Sequence, residues 1–357
     1  MAGTRITADD LVVHVLNVGF GDNLVVEFPP DTGGRRWVGI VDCCDAGKTI
    51  DYLGSLHARR PHEGVAFVCA THPHGDHVSG INELLKHLRR KDRATGAKLN
   101  PDLEFWDSGF RHGSVTYQRI LKTVRDEQVR MVRVSSGMER YFGRVRLTAL
   151  APSMALRNRY STYGVDMNNA SVVLRLEHCR QDAVTVQSER YVGARDPEAA
   201  RKANPAVIVL GGDAEFASWA RVEDEYPHVV RASAHEPLVQ KFVDLLNCGV
   251  VKISHHGSMH SAPLDIYERM SPALALISTE QKVESKKAGG RTLKRPLFPH
   301  DTTRLALEEV GATVLATGAL GGKPEGTVVV AVGPGGRPRP FKLADKAGAK
   351  VKADMVP

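Results

Sequence analysis

Apolar and polar positions along the chain alternate in short runs, and those runs predict most of its elements. Val65 to Ala70 is a brief, β-prone apolar run and reads as a buried strand. Soon after it, Ile81, Leu84, Leu85 and Leu88 fall at i, i+3, i+4 and i+7, which is one face of a helix. The same reading predicts strands in two groups. The first is Leu11 to Val18, Asn23 to Phe28, Trp37 to Val41 and Val65 to Ala70. The second is Val145 to Leu150, Ser171 to Leu176, Ala206 to Leu210, Val250 to Ser254, Leu274 to Ser278, Ala312 to Thr317 and Thr327 to Val332. Helices are expected over 237–246, ending before Gly249, and over 302–310, with Asp301 as N-cap and Gly311 as stop. No internal repeat has a fixed short period. After Gly333 the composition turns to Gly, Pro and Lys, which predicts a domain over 1–333 and a basic, mostly disordered tail over 334–357.

Between the strand at 65–70 and the helix at 81–88 lies THPHGDHVSG (71 to 80), which gathers His72, His74, Asp76 and His77 in six positions. A core or a solvated face does not select three histidines beside a carboxylate. The position, on a loop at a strand's C-terminal end, is where sites in layered α/β folds collect. Imidazole and carboxylate suit zinc, manganese or iron, and this set exceeds what one open catalytic ion needs. Two ions are therefore expected. His72 and His74, two apart, converge on one, and Asp76 and His77 point toward the second.

THPHGDH resembles the HxHxDH motif of metallo-β-lactamase-fold hydrolases. HVLNVGFGDNLVVEF (14 to 28), VDCC (41 to 44), NNAS (168 to 171), VIVLGGDAE (207 to 215), VKISHHGS (251 to 258) and LALIS (274 to 278) follow the order of one branch. That branch is the soluble hydrolase domain of ComEC-type DNA-uptake competence proteins, and the resemblance runs from residue 11 to about 332. It implies a four-layer αββα sandwich of two mixed sheets, with a dinuclear site in the cleft between them. It makes Asp213 the bridging ligand, although a strand-end Asp can equally cap a helix. It gives the second ion a histidine from ISHHGS, for which His255 is favoured, with His256 oriented toward substrate or supporting the ligands. Most members supply a third histidine to the first ion where this chain has Asn168 and Ser171; His112 and His178 read as surface or core histidines. The first ion then rests on His72, His74 and Asp213, so zinc is expected overall, with manganese or magnesium credible at this weaker site. Asp22 and Asp42 are expected to shape the site from beneath, or simply to form turns. His300 is expected at the cleft's rim, and Asp76, Asp213 and His256 are the expected catalytic groups.

Composition limits this reading without choosing a substrate. The chain has 357 residues, 42% hydrophobic and 25% charged, which is ordinary for a globular protein. No stretch reaches the roughly 18 apolar residues of a membrane helix. The opening MAGTRITADD lacks a signal peptide's apolar segment, so a cytoplasmic location is expected. Five cysteines without CxxC spacing argue against a disulfide framework. Lys and Arg number 48 against 41 Asp and Glu, concentrated in 86 to 98 and in 282 to 295. Clustered cations of this kind neutralise phosphates. Lys286, Lys287, Arg291, Lys294 and Arg295 are thus the expected substrate contacts. The function expected is a phosphodiesterase or nuclease acting on DNA through a metal-activated hydroxide. Its rivals are a hydrolase of a cyclic nucleotide, lactone or thioester, and a non-catalytic nucleic-acid-binding subunit.

Overall fold

The computed structural model describes residues 5–350 except 93–94, 111, 158–165, 180–205, 227–244, 281, 289–290, 319–324, 335, 346 and 349. The helix expected over 237–246 falls almost wholly outside the described residues. Among them, no helix is long and apolar enough to cross a membrane. All five cysteines are free thiols.

Two mixed sheets face each other. The first is built from β1 (Leu11–Val15), β2 (Asn23–Glu27), β3 (Trp37–Cys43), β4 (Gly64–Ala70), β5 (Glu104–Asp107), β6 (Arg130–Arg133), β16 (Thr327–Val332) and β17 (Arg339–Leu343). Its order is β17-β16-β1-β2-β3-β4-β5-β6. The second holds β7 (Glu139–Phe142), β8 (Val145–Ala151), β9 (Val173–His178), β10 (Val207–Leu210), β11 (Val250–Lys252), β12 (Leu274–Ile277) and β15 (Thr313–Ala316), in the order β15-β12-β11-β10-β9-β8-β7. Each sheet is part antiparallel and part parallel. The parallel pairs are β3-β4, β4-β5 and β5-β6 in the first sheet, and β10-β11, β11-β12 and β12-β15 in the second.

Packing defines four layers. Val13, Leu24, Phe67 and Trp106 of the first sheet share one buried cluster with Leu147, Leu174, Ile208 and Leu276 of the second. Phe67 and Trp106 stack there at 3.9 Å and 5°. The outer face of the first sheet packs on α1 (Ala46–Arg59), α3 (Ile81–Leu88) and α4 (Val115–Asp126), and the expected stripe Ile81, Leu84, Leu85 and Leu88 is the buried face of α3. The outer face of the second sheet packs on α6 (Phe216–Glu225), α7 (Leu264–Met270) and α8 (Asp301–Glu309). Two one-turn helices, α2 (Gly75–Val78) and α5 (Met154–Arg157), complete the helical elements discussed below. The α/β class and the helix–sheet–sheet–helix layering follow from these contacts.

Several expectations need correction. The strand at 327–332 belongs to the first sheet, because it pairs antiparallel with β1. β5, β6 and β7 were not expected; each is only four residues long. The N-cap of α8 is His300, whose ring nitrogen accepts from the Thr302 amide, and not Asp301. The stretch after Gly333 is not simply a disordered tail, since Arg339–Leu343 pairs with β16. Beyond that strand, the Asp345 carboxylate is buried and bonded to the Lys48 ammonium and the Thr327 amide. Its carbonyl accepts from Asn17 Nδ2 at 3.0 Å.

Asp345→Ala leaves the fully buried Lys48 ammonium without its carboxylate, so it should cost about 3 kcal/mol or more in denaturant unfolding. A second cluster, half-buried Glu177 between the buried Arg146 and Arg175, sets an acid limit. Burial opposes ionisation of Glu177, but the Arg175 and Arg146 guanidiniums outweigh it and lower its carboxyl from 4.5 to about 2. A depressed carboxylate stabilises the fold fully above the unfolded value, and that contribution disappears as pH falls from 4.5 through about 2. Over that window, denaturant midpoints should fall less steeply for Glu177→Gln than for the parent.

Candidate metal centre

The site lies where parallel strands of both sheets end. β4 stops at Ala70, and the next ten residues carry His72, His74, Asp76 and His77. Across the cleft, β10 leads to Asp213 and β11 to Ser254–Gly257, a single turn that contains His255 and His256. A backbone bond from the Val172 amide to the Thr71 carbonyl, 3.0 Å, joins the two sheets beneath. Two glycines permit the close approach. Gly212 has φ 52°, and a Cβ there would stand 3.0 Å from the Val172 carbonyl oxygen. Gly21 has φ 137°, and a Cβ would meet the Asp76 carbonyl oxygen at 2.6 Å.

Asp76, His77, Asp213 and His256 offer ligand atoms that all lie within 4.8 Å of one another. The carboxylate here has to be ionised. Burial pushes against it, yet the imidazoles of His77, His256 and His72 outweigh burial and hold Asp213 well below the usual range. Burial likewise opposes charge on His77, but Asp213 and Asp42 outweigh it and raise the ring well above 6.5. His77 Nε2 stands 3.1 Å from Asp213 Oδ1, and His256 Nε2 stands 3.4 Å from Asp76 Oδ2. Even so, His77 Nε2, His256 Nε2 and Asp213 Oδ1 are aligned for no hydrogen bond among the described residues. Three buried polar atoms left without partners around one point are costly unless a cation completes them. The donor set fits a divalent metal.

The far nitrogens of both rings are tied down. His77 Nδ1 lies 2.8 Å from Asp42 Oδ2, and His256 Nδ1 lies 2.8 Å from the Ser278 carbonyl oxygen. Each bond sends Nε2 toward the centre, as metal-binding imidazoles require. Asp42 has φ 58°, and its carboxylate also accepts from the Thr71 amide and hydroxyl at 2.8 and 2.7 Å. Asp22 stands 3.8 Å from His77 Nδ1 and 3.6 Å from His256 Nδ1, and it is paired with the buried ammonium of Lys252. Both carboxylates lie behind ring nitrogens that face away from the centre.

Other expected residues fall in different places. His256, not the favoured His255, is the histidine of ISHHGS whose nitrogen is grouped with Asp76, His77 and Asp213. His255 has its Nδ1 2.8 Å from Glu215 Oε1. His72 is buried, with Nε2 3.5 Å from Asp213 Oδ2 and 3.1 Å from His74 Nδ1. Ser171 Oγ accepts from the Asp213 amide at 3.2 Å, and Asn168 Nδ2 donates to Glu215 Oε1 at 3.1 Å. The NNAS segment therefore braces the residues of the GGDAE turn. His112, read as a surface or core residue, has its ring 6.2 Å from that of His74 at the edge of the site. His178 is buried elsewhere, its ring bonded to the carbonyls of Asp9 and Cys179.

Sequence reasoning missed Lys252, Glu215 and Thr71. Lys252 had one visible signal, a lone cation inside the apolar run VVKIS. The two basic segments also separate. Arg89 donates to the carbonyls of Asn100, Pro101 and Glu127, and Asn100 accepts from the Val65 amide at the start of β4. The run at 86–98 thus sits at the end of β4 opposite the histidines. The run at 282–295 belongs to a separate hairpin, β13 (Lys282–Ala288) with β14 (Arg291–Phe298). That hairpin ends at Phe298, whose ring is 6.0 Å from His255 and 5.3 Å from Phe20. The side chains of Lys286, Lys287, Arg291, Lys294 and Arg295 lie outside the described residues.

No family model and no curated protein matches the chain. Solved structures similar to it include the metallo-β-lactamase fold protein YhfI from Bacillus subtilis, with 11% identity, 87% of this chain and 98% of that one covered, and TM-score 0.42. Unliganded yeast PDE1 is similar at 10% identity, with 87% and 98% covered and TM-score 0.40. The β-hydroxylase CmlA is similar at 10% identity and TM-score 0.40; 95% of this chain is covered, but it spans only 55% of that protein. These are loose likenesses. The layered sandwich rests on the chain's own strand pairing and packing.

Asp42→Asn keeps the shape beside Thr71 but removes the negative charge behind His77 Nδ1. It should weaken divalent-metal binding about 10- to 100-fold in a chelator competition, with the fold retained.

Proposed function

We propose that this chain is a metallo-β-lactamase-type, metal-dependent hydrolase with a dinuclear centre, and that it cleaves phosphodiester bonds in DNA. One observation carries the hydrolase reading: Asp213 is buried between two sets of imidazoles, with His77 Nε2 at 3.1 Å from Oδ1 and His72 Nε2 at 3.5 Å from Oδ2. A carboxylate addressed from both oxygens is suited to bridging two cations. Divalent ions held there supply Lewis acidity and lower the proton affinity of water to near neutral pH.

The protein's own groups define the approach of substrate. Asp76 has a side chain 28% exposed while His77, His256 and Asp213 are buried, so substrate enters on the Asp76 side. Phe20 stands on His256 with ring centroids 4.6 Å apart and screens it from water. Asp42 and Ser278 fix the imidazole orientations before substrate arrives, so little reorganisation is left for the reaction itself.

Charge supports a nucleic acid as substrate. The chain carries a formal net charge of +7, and the basic hairpin returns to the site at Phe298. The other basic run lies at the far end of β4 and lends no support. Zinc fits the imidazole-rich donor set.

Neutralising Lys286, Lys287, Arg291, Lys294 and Arg295 together should weaken DNA binding and flatten its salt dependence, at roughly 0.7 to 0.9 of logarithmic slope per lost phosphate contact. Metal content and hydrolysis of a small chromogenic phosphodiester should be retained, because that substrate needs the centre and not the hairpin. Salt-independent binding by the parent would remove the nuclease reading and leave a small-substrate hydrolase.

A further inference from the structure

We infer that His255 is the third imidazole of the first ion, taking the place of the histidine that the segment at 168–171 lacks, with Glu215 and Asn168 as its positioning residues. This rests on the dinuclear reading above and specifies one of its two ions. The first argument is backbone geometry. His255 and His256 are consecutive residues in left-handed conformations, φ 47° and 51°, which cost strain in non-glycine residues. The strained pair sends neighbouring imidazoles to opposite sides of one carboxylate. His256 Nε2 stands 4.0 Å from Asp213 Oδ1, and His255 Nε2 stands 4.0 Å from Asp213 Oδ2. Oδ1 is the oxygen facing His77, and Oδ2 is the oxygen facing His72.

The second argument is the support behind the ring. His255 Nδ1 lies 2.8 Å from Glu215 Oε1, and Asn168 Nδ2 donates to that same oxygen at 3.1 Å. The Glu215 side chain is 15% exposed. A carboxylate on one imidazole nitrogen fixes the ring and raises the basicity of the other. Asp42 holds His77 Nδ1 in a hydrogen bond, whereas Glu215 Oε1 stands at ion-pair distance from His255 Nδ1 without hydrogen-bond alignment. His255 thus has a carboxylate beside Nδ1 and Asp213 Oδ2 4.0 Å from Nε2, on the side of Asp213 away from His77. His112 is the rival for the same role. Its ring lies 6.2 Å from that of His74, and its Nδ1 accepts from the Ser114 amide within its own loop.

The donor sets then differ between the two ions. His72, His74 and His255 with Asp213 give three nitrogens and one oxygen, a zinc-type set. Asp76, His77, Asp213 and His256 give two nitrogens and two oxygens. The first site is consequently not the weak one that the sequence suggested.

Equilibrium dialysis of the full chain with zinc, and absorption spectra with cobalt, test this. The parent should bind two equivalents. His255→Asn and His256→Asn should each keep one, and the cobalt spectra of the two singly loaded proteins should differ because one set has more nitrogen. Asn is chosen because it tolerates left-handed backbone. Glu215→Gln, which leaves the strained turn untouched, should weaken one equivalent about 10- to 100-fold and spare the other. It decides the matter if the Asn variants do not fold. Two equivalents bound with parental affinity in His255→Asn, or loss of the nitrogen-rich spectrum in His112→Ala but not in His255→Asn, would overturn the assignment. A parent that binds a single equivalent would remove the two-ion reading and this assignment with it.

Discussion

The structure depends on giving carboxylates partners where water is excluded. Asp22, Asp42 and Asp213 are 0 to 2% exposed, between two apolar sheets. A buried charge is tolerated only when opposite charge and hydrogen bonds surround it. Each is answered: Asp22 by Lys252, Asp42 by His77 and Thr71, and Asp213 by the imidazoles around it. Those partners come from both sheets, so the two halves of the sandwich are held in register by electrostatics at one end and by apolar packing elsewhere. Displacing either sheet would leave a buried carboxylate without its counter-charge.

What the sequence reveals divides according to how local the controlling physics is. The candidate ligands at 72–77 are legible because six residues on one loop cannot scatter far. The stripe at 81–88 is legible because helical periodicity needs no partner. The choice between His255 and His256 depends on the signs of two backbone angles, which residue type does not announce. The placement of β16 is hidden for another reason. Its run of buried valines suits either sheet, and only pairing with β1 decides. The short strands β5 and β6 alternate poorly, and β6 is largely exposed, so their patterns are weak.

Composition misleads in two places. Gly, Pro and Lys after residue 333 outweigh the small alternating signal of Arg339–Leu343, although its partner β16 is fully buried and needs an edge strand beside it. The cations at 86–98 look like a binding surface until Arg89 is seen holding the carbonyls of four separate residues. A basic residue that closes loops is indistinguishable in sequence from one that waits for a phosphate.

The pairing of β1 with β16 bears on how the chain is made. Leu11 lies opposite Val332, so β1 lacks one neighbour until more than three hundred further residues have been translated. At about 5 to 20 residues per second, that interval is tens of seconds. During it β1 has an open apolar edge, the kind of surface that recruits wrong partners. The Lys48–Asp345 bond forms later still and locks the same region. Nascent chains should therefore carry the candidate metal ligands before β1 has its second neighbour, and an ion that bound early would meet an incomplete cage.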